Sequence, residues 1–480
     1  MRGSVTVYLT LTFCVLISLL YALFFSVRIS AGRAQAANSA DQAVYSLFAR
    51  YDRSLMEKYG LFFIHAGSGG GEPDLGACIR EIEDAADHLL CPNDGLPFLK
   101  GKNLLRLERK SCSVTGCLLA TDCGGAAFAS QAEQAVKDTC GTACISRLKE
   151  ILAGSGDSES QGKDLLEQSR STSYTELKQE SEAVRQELLE EGVIVSEPEV
   201  PGWFVNPIPF FSELRRRAVL DIVAPEGVSA KEADTSQFVS GRALSSGFGI
   251  VPEQKGGRSA AFLTFLTRNF SSYDAPSENS ALMYQMEYIL CGRSSDMANM
   301  KEVVRRLMVL REAANIACIY RDSRLQEELS AVSGLISAIL MLPEAEGAVR
   351  LLLAAGWAYA ESLADVRALF LDKKVALVKS GDYWQTDLLR IPQFFSELDG
   401  LTVNDPQGLN YEEYLGILLL KNGRNSIMRA MDMAESEIRG SGSDTFRLDH
   451  CIGALDTEMD ICAEGQVNFT VKKSLSYEDM

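Results

Sequence analysis

Hydrophobic and polar positions repeat with different periods in different parts of the chain. Residues 3–27 (GSVTVYLTLTFCVLISLLYALFFSV) contain no charge. At about 1.5 Å per residue, a helix of that length crosses the roughly 30 Å of a bilayer's hydrocarbon. The run therefore predicts a retained membrane helix. A cleaved secretory signal has an apolar core of only about 7–15 residues, and the small-x-small site that follows, Ala34-Gln35-Ala36, lies beyond Arg28 and Arg33. Past Arg28, Ala40, Val44, Leu47, Tyr51 and Leu55 recur at helical steps, so the helix is expected to continue as an amphipathic one and to end at Gly60. Leu61-Phe62-Phe63-Ile64 is a strand candidate, expected to join a C-terminal sheet that covers the stripe Val44, Leu47, Tyr51 and Leu55.

Helical spacing returns at 76–90 and 126–152. Between 155 and 200, twelve acidic and four basic side chains surround a thin apolar stripe at Leu177, Val184 and Leu188, which predicts a solvated helical linker. Residues 280–378 are helical in pattern almost throughout: a stop at Cys291-Gly292, Ser295 or Asp296 placed to cap the next helix, then helices over 325–342 and 345–371 broken at Pro343. The last two are too short or too charged to cross a bilayer and suit a buried bundle. The C-terminus alternates with period two at Phe446–Ala454, Met459–Ala463 and Val467–Val471. Pairing Ala463 with Val467, Ile461 with Phe469 and Met459 with Val471 puts the apolar residues on one face of a three-strand antiparallel sheet. His450 falls on that face as a hydrogen-bonded core residue rather than a ligand, because no second histidine is expected to be available to it. Cys451 and Cys462 fall on the opposite face, where they could bridge two strands.

The fold class is thus α+β and mainly helical. Its divisions are a membrane-plus-amphipathic helix (1–60), a cysteine-rich inserted subdomain (61–154), an acidic helical linker (155–200), a helical bundle (201–445) and C-terminal antiparallel strands (446–480). Composition narrows the function. A net charge of −18 removes the positive field that nucleic acid requires, and three histidines (His65, His88, His450) leave zinc and general-base constellations short of their commonest ligand. No cofactor is expected. Cys78, Cys91, Cys112, Cys117, Cys123, Cys140 and Cys144 crowd one stretch without paired C-x-x-C knuckles, which predicts disulfides rather than zinc and places the body in an oxidising, extracytoplasmic compartment. Glu361 and Asp365 stand one helical turn apart, with Arg367 beside them. This is the spacing of a general acid/base pair, or of an ion-pair network with Arg305, Arg306 or Arg311; the network is the reading adopted. Thr6, Thr10, Cys14, Ser18, Ala22 and Ser26 recur every fourth residue in the membrane run, a stripe on which a second helix can pack closely.

Four segments carry a resemblance: 50–63 (RYDRSLMEKYGLFF), 284–299 (YQMEYILCGRSSDMAN), 357–367 (WAYAESLADVR) and 411–420 (YEEYLGILLL). They resemble a bacterial membrane-anchored family of unknown function from Gram-positive anaerobes, associated with Tad (tight adherence, Flp pilus) loci. The opening Arg2-Gly3-Ser4-Val5 is similar to TadE/TadG-like pseudopilins, with Tyr8 where those proteins often carry glutamate. The resemblance implies a single-pass envelope protein, partnered in the membrane by pilus or pseudopilin subunits, and brings no catalytic residue. The expected function is a pseudopilin-like structural or assembly role. The alternatives are an anchored receptor or adhesion module using the cysteine-rich stretch and, behind it, an envelope enzyme.

Overall fold

In a computed structural model, which describes residues 2–67, 73–90, 105–140, 150, 156–191, 200–224, 227–252, 259–278, 280–400, 404–422, 425–463 and 467–477, the apolar N-terminal run opens one long helix, α1 (Arg2–Phe48). No proline interrupts it. Its large apolar side chains from Val5 to Phe24 are exposed, whereas Ala36, Ala40, Ala43, Val44, Leu47 and Phe48 are buried. The exposed half is the one stretch among the described residues long and apolar enough to cross a membrane. The expected extension to Gly60 is broken after Phe48. Asp52 Oδ1 accepts a hydrogen bond from the Leu55 N–H at 2.9 Å and caps a separate helix, α2 (Arg53–Tyr59). Gly60, in the left-handed region at φ 68°, ends α2 as its position in the sequence predicts.

Two compact units follow from the chain's path: Met1–Thr139 with Ser236–Gly256 and Ala430–Met480, and Cys140–Thr235 with Gly257–Arg429. The sheet of the first is antiparallel, with strands β1 (Ile64–His65), β2 (Leu107–Leu119), β3 (Cys451–Ala463) and β4 (Val467–Ser476). The expected pairs Ala463–Val467, Ile461–Phe469 and Met459–Val471 all occur between β3 and β4. Two expectations change. The stretch 451–463 is one strand and not two, and the third long strand is β2, drawn from the cysteine-rich stretch and hydrogen-bonded along β3. That stretch is therefore woven into the sheet and does not stand apart as an insertion. β1 adds the short pairing Ile64–Ile452 and His65–Cys451, so of the expected strand Leu61–Ile64 only Ile64 joins the sheet. Leu455, Met459 and Ile461 of β3 face the buried stripe of α1, with Cys78, Ile82, Ala86 and Leu90 of α3 (Leu75–Leu90) closing the same core. Val44 and Leu47 are buried there as expected; Leu55 is buried in α2, while Tyr51 is half-buried against the Phe62 ring. Helix α4 (Asp122–Cys140) follows β2, its regular turns starting after left-handed Cys123, Gly124 and Gly125.

The second unit is helical. It runs through α5 (Gly156–Arg170), α6 (Tyr174–Glu190), α7 (Ile208–Leu214), α8 (Val219–Val223), α9 (Ala260–Asn269), α10 (Gln285–Cys291), α11 (Asp296–Ile319), α12 (Ser323–Leu340), α13 (Glu346–Phe370) and α14 (Tyr411–Asn422). Gly292 stops α10 at φ 69°, and the Ser295 hydroxyl caps α11 by accepting from the Ala298 N–H. α11 packs on both α13 and α5. The acidic stretch is thus only half a linker: α6 has no buried residue, but α5 lies so close to α11 that a Cβ on Gly162 would fall 1.9 Å from the Ala313 carbonyl oxygen.

Candidate functional site: a buried ionic network

Glu361 and Asp365 on α13 do share a face, and both are fully buried. From α11 the Arg311 guanidinium donates to Asp365 Oδ2 through Nη2 at 2.9 Å, and Asn315, one turn on, donates to the same oxygen at 2.9 Å. The second cation, Lys379, comes from the segment after α13; its Nζ donates to Asp365 Oδ1 at 2.7 Å and to Glu361 Oε1. Glu361 Oε2 takes the Thr386 N–H at 2.9 Å and the Thr386 hydroxyl at 2.8 Å, and Oε1 takes the Gln385 N–H at 3.0 Å. Arg311 Nη1 also donates to the carbonyls of Ala376 (2.7 Å) and Leu377 (3.0 Å) and to the Tyr414 hydroxyl (2.9 Å). Two carboxylates and two cations therefore cancel in a dry interior. Burial raises the Asp365 carboxyl, but Lys379 and Arg311 outweigh it and hold the group below its ordinary value. Burial lowers Lys379, and Asp365 and Glu361 reverse the effect. The strap 375–388 is tied onto the bundle by side chains at both ends.

This is the ion-pair arrangement the spacing suggested, with changed partners. Of the three arginines, only Arg311 enters. Arg305 and Arg306 both pair with Glu302, and Arg367 donates instead to the Ile222 carbonyl at 2.6 Å. Lys379 had no periodic signal; the clue was a single charge closing the apolar run Ala376-Leu377-Val378. An open cavity of about 500 Å³ lies over the strap, lined by Ala376, Val378, Ser380, Tyr383, Asp405 and Gln407 among others. Between it and the network is a space of about 10 Å³ reaching Asp365 and Lys379, room for about one water molecule. Neither carboxylate is presented to a ligand of any size.

The stripe Thr6, Thr10, Cys14, Ser18, Ala22 and Ser26 is exposed along the apolar half of α1. Thr10 returns its hydroxyl proton to the carbonyls of Thr6 and Val7, and Ser18 to that of Val15, so the stripe is narrow and internally satisfied. The cysteine expectations fare differently. Cys78, Cys112, Cys117, Cys123, Cys451 and Cys462 carry free thiols; Cys91, Cys144 and the side chain of Cys140 lie outside the described residues. Cys78 and Cys117 sit in the first unit's core, and burial pushes Cys117 up to about 12. A Cys451–Cys462 bridge is ruled out by the single strand that contains both, since eleven steps of about 3.3 Å hold them far beyond disulfide reach. Both are buried. His450 is buried too, but it is not alone: His65 lies beside it, ring centroids 6.4 Å apart.

Three of the resembling segments also meet. Tyr411 on α14 donates to Glu287 on α10 at 2.8 Å, and Tyr414 reaches the network on α13 through Arg311. Residues 201–463, more than half of the chain, match a family of unknown function, DUF5702. No curated protein and no solved structure matches the chain.

Proposed function

The chain belongs to the DUF5702 family of unknown function, and from that premise we propose that it is a membrane-anchored extracytoplasmic structural or assembly protein, pseudopilin-like, of a Tad/Flp-type pilus system. One observation carries the reading: the exposed apolar run and the buried stripe Ala36–Phe48 belong to the same unbroken helix, and the stripe packs on an antiparallel sheet. A simple tether would need no such continuity. Force applied to a helix that is also the core of its unit passes directly into the fold, which is what a subunit held in a pilus or its assembly platform requires. The ionic network fits a load-bearing role as well, because its lone pairs are spent on the protein. An adhesion module built on residues 72–150 has less support, since α3 and β2 from that stretch are spent on the core and the sheet.

Deleting the gene should abolish or shorten pili. In membranes, Thr10→Leu with Ser18→Leu should weaken association with itself or with a pilin partner in a two-hybrid assay, while Leu9→Ile with Leu16→Ile should not. Exposed Cys123 gives the sidedness: a membrane-impermeant maleimide should label it in intact cells. Normal piliation in the deletion strain, or labelling only after lysis, would remove the reading.

A further inference from the structure

Contacts between α1 and β4 fix which end of the first unit's sheet meets the bilayer. Gly32 packs so closely on Phe469 and Leu107 that an added Cβ would stand 3.5 Å and 3.6 Å from their side chains. Further along the helix, Lys473 Nζ is 3.0 Å from Asp41 Oδ1, and the Tyr477 ring packs on Phe48 with centroids 4.8 Å apart. From Gly32 to Phe48 the helix rises about 24 Å, and from Phe469 to Tyr477 the extended chain rises about 26 Å, so β4 climbs beside α1 in the same direction. β2 and β4 both run antiparallel to β3. The starts of β2 and β4 therefore lie at the end of the sheet nearest the apolar run. No gap separates that end from lipid. The charge-free run closes at Val27; Gly32 stands only about 7.5 Å beyond it, and a headgroup layer is about 5–7 Å deep. Val467, two strand steps before Phe469, reaches about 7 Å back toward the bilayer.

We infer, on the basis of the anchoring proposed above, that this end of the first unit is a docking face for anionic phospholipid headgroups, with Arg28, Arg33 and Arg106 set to hold the phosphates. Ile29, Leu105 and Val467 are only partly buried against the core and supply the apolar part of the rim. Arg33 and Arg106 are exposed and have no ion-pair partner among the described residues. The Arg33 guanidinium carbon lies 5.9 Å from the Phe469 ring centroid, and that of Arg28 lies 6.0 Å from the Phe24 ring centroid, back toward the lipid. Side chains on a helix tilt toward its N-terminus, which here is the membrane. Arg106 enters β2 from the left-handed region at φ 47°, where arginine is uncommon. Charge is complementary only locally. The chain as a whole, at −18, is repelled by an anionic surface, while Glu108, the first carboxylate of β2, is taken up by Lys110 at 3.2 Å. Each arginine near an anionic leaflet adds roughly fivefold to its attraction. Bound headgroups would fix the tilt and rotation of the body over the bilayer, which a lone membrane helix leaves open.

The test uses the full chain, first in membranes and then in neutral detergent. Retention in carbonate-washed membranes checks the anchor alone; a chain that washes off removes the anchoring and the docking face with it. For the retained chain, native mass spectrometry with equal amounts of dioctanoyl phosphatidylglycerol and dioctanoyl phosphatidylcholine should show the anionic lipid bound in preference. Arg33→Gln with Arg106→Gln should lower that preference by roughly fivefold for each arginine. Arg53→Gln, the same change at an exposed position beyond Phe48, should leave it unaltered. Equal binding of the two lipids by the wild type, or an undiminished preference in the double variant, overturns the docking face and leaves the anchor standing. An equal loss in Arg53→Gln would mean attraction by overall charge, and displacement of the lipid by inorganic phosphate would mean a site for free phosphate; either result overturns it too.

Discussion

At the scale of single residues, the second unit treats its buried charges in two ways. Lys379 and Arg311 compensate Glu361 and Asp365 completely. Removing one cation leaves a carboxylate uncompensated in a dry site, at a cost of about 3–5 kcal/mol. Lys379→Met should lower the unit's stability by that amount in urea titration; a change below about 1 kcal/mol would mean that the strap relaxes and lets water in. Glu287 is the opposite case. Burial raises it to about 7, against hydrogen bonds from the Tyr273 N–H and the Tyr411 hydroxyl, and its Oε2 has no partner. The folded state thus holds a proton that the unfolded chain releases near its ordinary value of about 4.3. Stability from this group is present at low pH and is lost as pH rises from there through about 7. Glu287→Gln, which cannot ionise, should raise the melting temperature more at pH 8 than at pH 5. The reverse order would show that the carboxylate is charged in place.

At the scale of elements, close approach decides more than propensity. Alanine is worth about 1 kcal/mol over glycine inside a helix. Yet at Gly162 an added Cβ would meet the Ala313 carbonyl oxygen at 1.9 Å, and backbone cannot rotate away as a side chain would. Gly162→Ala should therefore destabilise the bundle, by about 1–3 kcal/mol or more, when measured by thermal melting of the full chain. A stabilised variant would mean that α5 does not hold its place against α11. Acidic composition misreads this helix because its packed side carries one buried leucine, Leu166, between the small residues Gly162 and Ser169, too short an apolar signal to stand out among the charges. The break between α1 and α2 has a similar origin: Asp52 looks like one polar position on an amphipathic helix, but its carboxylate caps the next helix and starts a new axis.

At the scale of the whole molecule, α1 divides into a part the fold does not need and a part it cannot lose. Among the described residues, removing residues 1–27 takes away no buried side chain, so the shortened chain should keep the melting transition of the first unit and lose retention in carbonate-washed membranes. Removing 1–48 takes Ala36, Ala40, Ala43, Val44, Leu47 and Phe48 from the core and should abolish that transition in calorimetry. An unchanged transition would show that the stripe packs too loosely to matter. The apolar run, the bundle helices with their caps and stops, the β3–β4 register and the shared face of Glu361 and Asp365 were all legible in the order of the amino acids. Each of these depends on a repeat or a neighbour within a few residues, and local geometry is the same in any fold. Long-range packing was needed to lay β2 from the cysteine-rich stretch along β3, to bring Lys379 into the network, to take Arg367 out of it, and to stand His65 beside His450. Period reports which face a segment buries. It does not report which distant segment arrives at that face, because that choice is made by competition among many apolar surfaces of similar burial energy and is settled only when the whole chain closes.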